Sequence, residues 1–435
     1  MKWNRAAVEV AEAQRRLLER VVPLGAQRVP LLQSFSRTLA ADVAATHPVP
    51  HFVKSGMDGY AVRHADILGA CLEQPVVLRV NQVIACGAVP TQSVEAREAA
   101  RIMTGAMLPE GADTVVPFEL TEECWAGKSR TDEAGEERDG RDGRDGRVLA
   151  DGFKNVRILQ VVSKGRNTSA VGEEMADGDK LMERGRVIAA GEAALLATFG
   201  YETVSVVRKP RVAILTTGSE LLPVEAPLQP GKIRNSNRYL LAALVESAGG
   251  ELVALDTVPD DVRRAEAFLQ DMMSRVDLVI TTGGVSVGDF DIMADLLERW
   301  GGDMLFNKVE MRPGSVTSAG VRGDVLLCAL SGNPSACFVG FELFVRPVIH
   351  ALLGRSEVLP ATFTARLQGD YAKGNIYPRY LRARTCIQDG LLLVEPVEKN
   401  QSSVTVTIKD ADCLVLIPPG GGARAGDLVT VLRLS

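Results

Sequence analysis

The sequence predicts a multidomain α/β plus β protein, with a mostly parallel α/β sandwich at 208–355, a β-rich insert ahead of it and a small all-β domain behind it. Three observations predict this. At 435 residues the chain exceeds what one hydrophobic core usually supports, and 46% apolar content can furnish several. From "KPRVAILTTGSEL" to about residue 354, buried-strand runs alternate with helical intervals and glycine turns. Short β-branched pieces broken by Gly and Pro occupy 77–118, and turn-separated strands return in 356–435.

The elements follow in order. In "MKWNRAAVEVAEAQRRLLERVVPLG", Val10, Ala13, Leu17, Val21 and Leu24 share one helical face that ends at Pro23 and Gly25. This stretch mixes charge through every turn and lacks the apolar run of a signal peptide, and no 18-residue uncharged apolar segment follows elsewhere. A cytoplasmic protein with no membrane span is expected. The insert carries "VVLRV", "NQVIA" and "DTVVPFE". Residues 121–155 then repeat Arg-Asp-Gly three times, and a segment so rich in charge and glycine cannot offset its ordering entropy, so a mobile surface loop is expected there.

In the α/β stretch, "RVAILTTG", "ELVALDTVPDD" and "DLVITTGG" are strands, while "NSNRYLLAALVESAGG", "DVRRAEAFLQDMMSRV" and "FDIMADLLERWGG" are helices. A parallel sheet covered on both faces binds ligands beyond the carboxyl ends of its strands, which places TTGSE and TTGGVSVGDFD on one edge. In the tail, "ATFTARLQ", "YLRARTCI", "GLLLVEPV", "SVTVTI", "CLVLIP" and "DLVTVLRLS" read as strands. "PPGGGARAGD" reads as a wide hairpin rather than a phosphate loop, since no helix or Lys-Ser/Thr follows it.

Composition narrows the function. Lys plus Arg number 49 against 55 Asp plus Glu, a net charge of -6, which disfavours an electrostatically driven nucleic-acid or membrane binder and points to a small partner. Seven cysteines without a CxxC pair signal neither a disulfide framework nor a thiolate metal site, and most are expected to be small core residues. The four histidines form no metal-binding pattern.

The chemistry gathers on the predicted sheet edge. Gly283, Gly284 and Gly288 after a strand let backbone N–H groups approach an anion, with Ser286 as an added donor. The motif is neither Walker A nor GxGxxG, so a P-loop kinase or Rossmann dehydrogenase is disfavoured. Glu220, Asp260, Asp261, Asp289 and Asp291 fall around the same edge. Carboxylates beside a phosphate cradle call for a divalent cation between them, and oxygen ligands with phosphate suit Mg²⁺; the competing reading makes some of these acids helix N-caps. Lys308 and Arg312 add cations before a Pro-Gly turn, and Ser331-Gly332-Asn333-Pro334 opens a helix, a second anion site by geometry.

These blocks together resemble the molybdopterin molybdenumtransferase family, related to the C-terminal domain of gephyrin. The resemblance runs through "SGMDGYAVR", "RIMTGAMLPEGADTVVPFE", "AVGEEMADGD", "TTGSEL", "GKIRNSNRYLL", "TTGGVSVGDFD", "MRPGS" and "SGNPSACFVGFELFVRP", in family order over nearly the whole chain.

The resemblance implies a discontinuous elongated dimerisation domain (1–46 and 156–207), an inserted β-rich domain (47–155), an α/β molybdopterin-binding domain (208–355) and a C-terminal β domain (356–435). It also implies a reaction of molybdate with adenylylated molybdopterin, dependent on Mg²⁺, that releases AMP and yields molybdenum cofactor. The expected catalytic positions are Asp58, Thr104, Glu220, Asp260, Asp291, Lys308 and Arg312, with Glu220, Asp260 and Asp291 holding the metal. The expected pterin-binding positions are Thr217, Gly218, Ser219, Asn237, Gly283, Gly284, Ser286, Gly288, Ser331, Gly332, Asn333 and Pro334. A homodimer is implied, with Asp58 and Thr104 serving the partner's sheet edge, as is contact with other proteins of the cofactor pathway. Where the family usually reads Lys-Pro-Gly-Lys-Pro, this chain has Arg312-Pro313-Gly314-Ser315-Val316. An alternative is therefore a paralogue that binds or carries the pterin without converting it; another is an adenylyltransferase that charges molybdopterin from ATP.

Overall fold

The computed structural model describes residues 6–125, 153–284, 296 and 300–434. By internal contacts the chain forms two compact units, Met1–Asp42 with Met182–Ser435, and Val43–Leu181.

The first unit is built on a six-stranded sheet. Its strands are β1 (Arg211–Thr217), β2 (Glu251–Val258), β3 (Leu278–Thr282), β4 (Asp303–Phe306), β5 (Ser318–Arg322) and β6 (Val325–Leu330), in spatial order β2-β1-β3-β6-β5-β4. The first four in that order are parallel, and β5 and β4 complete the sheet antiparallel to their neighbours. Alternation along each strand explains why the parallel strands are apolar throughout. Val212 and Ile214, with Leu278 and Ile280, enter one core cluster, whereas Ala213 and Leu215, with Val279 and Leu327, enter another. Successive side chains point to opposite faces, so a sheet covered on both sides needs apolar residues at every position.

Helix α1 (Ser236–Ala248) starts at Asn235, whose side chain accepts from the Arg238 N–H, and stops at Gly249 with φ of 94°. Helix α2 (Val262–Met272) is capped by Asp261, which accepts from the N–H groups of Arg263 and Arg264. The expected helix at "FDIMADLLERWGG" lies largely outside the described residues.

After β6 a continuous 19-residue helix runs from Pro334 to Leu352. It is long and apolar enough to cross a membrane, yet 89% of it is buried inside the protein. Its Arg346 and Glu342 are both buried and form a bidentate pair at 2.6 and 2.9 Å.

The tail forms a closed barrel from Thr362–Leu367, Leu391–Pro396, Arg379–Gln388, Cys413–Ile417 and Leu428–Arg433. The last two pair as the hairpin expected around "PPGGGARAGD". The expected strand "SVTVTI" is instead turns leading into a 3-10 turn at Ile408–Asp410. Side chains replace a ladder there: the buried Arg382 donates to the carbonyls of Val404 and Lys399, and Thr407 also donates to Lys399. Those bonds satisfy backbone groups that a strand partner would otherwise take.

The second unit carries its own six-stranded sheet, ordered Thr114–Pro117, Gly59–Val62, Glu98–Ile102, Val76–Ile84, Phe153–Ile158, Thr121–Trp125. Both ends of the segment expected to be a mobile loop, 121–155, are therefore paired strands; its Arg-Asp-Gly repeats lie outside the described residues. Residues 156–181, grouped by sequence with 1–46, pack with this unit, where Val156 and Ile158 are fully buried.

The cysteines are all free, but only Cys328, Cys337 and Cys413 are buried; Cys71, Cys86 and Cys386 are exposed and Cys124 is partly so. Cys71 and Cys86 lie in loops, Cys124 on the outermost strand of the second unit's sheet, and Cys386 on the outward side of the barrel strand Arg379–Gln388.

Candidate functional site

Register aligns the strand ends. Thr216 pairs with Thr257 and Thr282, and Thr282 with Leu330, so the loops after β2, β1, β3 and β6 leave the sheet at one level. TTGSE and the start of TTGGVSVGDFD thus share an edge, as expected.

A polar layer seals the sheet beneath that edge. Asn235 donates to Thr216 Oγ1 at 2.7 Å and to Thr257 Oγ1 at 3.1 Å. Asn237 donates to Thr282 Oγ1 at 3.0 Å and to the Gly332 carbonyl at 2.8 Å, while Thr282 Oγ1 donates to the Ser331 carbonyl at 2.9 Å. The loops after β3 and β6 are thereby tied to the start of α1. Two buried oxygens have no hydrogen-bond partner among the described residues: Asn237 Oδ1 in this layer, and Thr217 Oγ1, which the alternation of β1 turns to the face opposite Thr216 and sets beside Gly283. Leaving such groups unpaired costs about 1–3 kcal/mol each, so they mark a place where a ligand or water donor belongs.

The glycines of the edge answer first to their neighbours. A Cβ on Gly283, where φ is 90°, would stand 2.1 Å from the Thr217 carbonyl oxygen. Packing of one loop against the next therefore excludes a side chain there, before any ligand is considered. Gly332 lies against Gly283 in turn, its Cβ position 3.3 Å from the Gly283 Cα. Gly218 is covered by the Glu220 carboxylate, whose oxygens would be 2.7 and 2.8 Å from an added Cβ.

The acids divide by role. Asp261 is a helix cap, as the competing reading held for one member of that pair. Asp260 accepts from the Ser219 N–H at 3.1 Å through one carboxylate oxygen, which ties the β1 and β2 loops together. Glu220 is exposed on the same side. Among the described residues no three His, Cys, Asp or Glu side chains come together as a metal site. Asp291, Ser286 and Gly288 lie outside the described residues, as does Asp289.

The cations stand farther along. Lys308 and Arg312 follow β4, the strand at the far side of the sheet, and the turn beyond Arg312 comes back to the start of the long helix, where a Cβ on Gly314 would stand 3.4 Å from the Ala336 carbonyl oxygen. Lys308 is half-buried, and the exposed Arg312 donates to Ser315 Oγ at 3.4 Å.

The helix start at Ser331-Gly332-Asn333-Pro334 is less open than geometry alone suggested. Asn333 N–H donates to Ser331 Oγ at 3.3 Å, Pro334 has no N–H, and Ser335 N–H donates to the Ser402 carbonyl from the tail at 3.0 Å. These three positions offer a ligand no unclaimed amide.

In the second unit, Asp58 accepts from both the Thr104 N–H at 2.6 Å and its hydroxyl at 2.7 Å. The Thr104 amide, then its hydroxyl, hold the Asp58 carboxyl below the usual range. The two motifs singled out in the insert thus form one exposed unit.

Sequence reasoning missed Asn235 and Lys232. Lys232 Nζ reaches the Ser219 carbonyl at 2.5 Å and holds the loop after β1. Both lie in "GKIRNSNRYLL", and the signal available was an Asn preceding a helix that itself follows a Gly-Lys turn.

The fold and edge define a class: a multidomain mixed α/β protein with β-rich regions and a closed β-barrel, whose parallel sheet presents an elongated polar edge. Comparison with known proteins supplies the particular family. A family model described as "MoeA N-terminal region (domain I and II)" matches residues 8–200, one described as "Probable molybdopterin binding domain" matches 213–351, and one described as "MoeA C-terminal region (domain IV)" matches 364–434. The molybdopterin molybdenumtransferase of Bacillus subtilis (strain 168) is 42% identical over 435 residues, covering 100% of this chain and 96% of that protein. That of Staphylococcus aureus (strain MRSA252) is 40% identical over 430 residues, covering 99% and 96%. The crystal structure of the molybdopterin biosynthesis moeA protein from Pyrococcus horikoshii OT3 superposes with a TM-score of 0.79 at 25% identity, over 99% of this chain and 100% of that one. The chain belongs to the molybdopterin molybdenumtransferase family, and it is a transferase.

Proposed function

We propose that this transferase acts in molybdenum cofactor biosynthesis by inserting molybdate into adenylylated molybdopterin, with release of AMP, along the carboxyl edge of the β1–β6 sheet. The observation that carries the reading is the pair of unpartnered buried oxygens at the strand ends, Asn237 Oδ1 in the polar layer and Thr217 Oγ1 beside Gly283. A pterin offers several N–H donors to such acceptors, and a phosphate tail needs the cations.

In this reading Thr217, Gly218, Ser219, Asn237, Gly283, Gly284 and the Ser331–Pro334 loop line the pterin and its phosphate, and Ser286 and Gly288 are assigned to the same role. Lys308 and Arg312 bind the phosphate or the molybdate oxyanion. Glu220, Asp260 and Asp291 would hold Mg²⁺. The donor set suits that ion: Glu220 is exposed, Asp260 spends one oxygen on Ser219, and Mg²⁺ commonly takes only one or two carboxylates beside substrate phosphates and waters. Its chemistry would be neutralisation of phosphate charge.

The Asp58–Thr104 unit is assigned to the site of the other subunit in a homodimer. The domain division drawn from the resemblance, with residues 1–46 and 156–207 as the dimerising part, belongs to the same proposal. So do a cytoplasmic location and contact with other proteins of the pathway.

The test is AMP release from adenylylated molybdopterin by the purified chain with Mg²⁺, with and without molybdate. Molybdate-dependent release that is lost in Glu220→Ala supports the reading. Tight pterin binding without AMP release would favour the carrier reading instead, which the Ser315 at a usual lysine position motivates. ATP consumption without molybdate would favour the adenylyltransferase.

A further inference from the structure

Away from the sheet edge, the far end of the Pro334–Leu352 helix opens into a cavity of ≈ 370 Å³. Arg346 and His350 from the helix, Arg355 and Glu357 from the segment after it, and Arg186 and Arg433 line its polar side. At about 1.5 Å per residue, Arg346 lies roughly 18 Å along the helix from Pro334, so this is a different place from the edge.

Close backbone packing builds the cavity. Gly185, with φ of 86°, sits so near the chain beyond the helix that an added Cβ would be 2.7 Å from the Gly354 carbonyl oxygen. That contact draws Arg186 over the helix end. On the other side Arg433 N–H donates to the Ala361 carbonyl at 2.9 Å, which fixes the last strand against the same segment.

Charge in the cavity does not balance. Arg186 is paired with Glu192 and Arg346 with Glu342, but among the described residues neither Arg355 nor Arg433 has a carboxylate at ion-pair distance. Arg355 Nη1 instead meets His350 Nε2 at 2.7 Å. A guanidinium only donates, so His350 Nε2 must be the acceptor and the ring neutral. Burial, then Arg355 and Arg346, push the His350 pKa down to about 3. Two further guanidinium nitrogens, Arg346 Nη1 and Arg355 Nε, are buried without a hydrogen-bond partner, and Arg346 is only 3% exposed. Unsatisfied buried N–H donors in a cationic cavity lack an anion. Val358, Leu359 and Pro360 supply the apolar part of the lining.

We propose that this cavity is a second binding site, for a small organic phosphate whose phosphate group lies against Arg355, Arg433 and Arg346 and whose apolar part lies on the Val358–Pro360 wall. The forked donors of arginine suit phosphate oxygens, and the volume matches small-molecule sites.

Calorimetric titration of the full-length protein with phenyl phosphate and with inorganic phosphate, against sodium chloride at matched ionic strength, tests it. Saturable binding of phenyl phosphate, tighter than inorganic phosphate, is expected. Arg433→Gln, at an exposed position that leaves the fold intact, and Arg355→Gln should each weaken it about tenfold, the loss of one charge-assisted contact. Glu357→Gln should tighten it by removing the opposing carboxylate. Lys308→Ala/Arg312→Ala should leave it unchanged. Binding lost in that last variant but intact in Arg433→Gln and Arg355→Gln would assign the phosphate to the sheet edge and overturn the proposal, as would the absence of saturable binding. Phenyl phosphate binding no tighter than inorganic phosphate would overturn the ligand class.

Discussion

The Asn237 side-chain amide donates to the Gly332 carbonyl at 2.8 Å across 95 residues of sequence, and the same nitrogen reaches Thr282. One side chain therefore sets the spacing of three loops. Asn237→Ala removes both bonds from a buried place and should cost about 2 kcal/mol in urea denaturation. Pterin affinity, measured by fluorescence titration, should fall with it. Unchanged stability would show that water replaces the amide.

Gly283→Ala should be worse than an ordinary glycine substitution. The new methyl meets the Thr217 carbonyl, and φ of 90° is strained for alanine. A loss of roughly 3 kcal/mol or a displaced loop is expected, read by denaturation and by chemical shifts of Thr217 and Thr216.

Asp58 titrates below the ordinary carboxylate value because of Thr104, amide first and hydroxyl second. A depressed carboxylate contributes stability that is complete above the unfolded pKa and is lost as pH falls through the folded one. Thr104→Ala keeps the amide bond and loses the hydroxyl bond, so the Asp58 pKa should rise only part of the way in a carboxyl-carbon NMR titration. No rise would mean the amide alone sets it.

His350 carries the opposite charge logic with the same sign of pH dependence. Its neutral form is required in the fold, so stability is full above about 6.5 and declines as pH falls towards about 3. His350→Gln should flatten that decline in urea midpoints taken between about pH 7 and about pH 4. An unchanged slope would place the acid sensitivity elsewhere.

Much of this was legible in the sequence because it rests on local periodicity. Runs such as "RVAILTTG" are apolar at every position only when both sheet faces are covered, and that requirement alone put Glu220 and Gly283 on one edge. Gly283 itself was legible as a close approach, but not what approaches: the Thr217 carbonyl belongs to another strand, 66 residues earlier. The Ser402 carbonyl that takes the Ser335 amide is likewise a long-range partner, invisible to any window. "SVTVTI" misled because β-propensity measures fit to a pleated surface, and here the guanidinium of Arg382 occupies the place of the neighbouring strand.

The barrel and the α/β sheet are not interchangeable modules. Tyr380, Leu414 and Leu432 leave the barrel's own interior and join Phe341, Phe344 and Val348 of the long helix in one cluster. A chain cut after residue 355 would bare part of a 19-residue apolar helix to water. Recombining tails between relatives should therefore succeed only when the helix surface travels with the barrel that covers it.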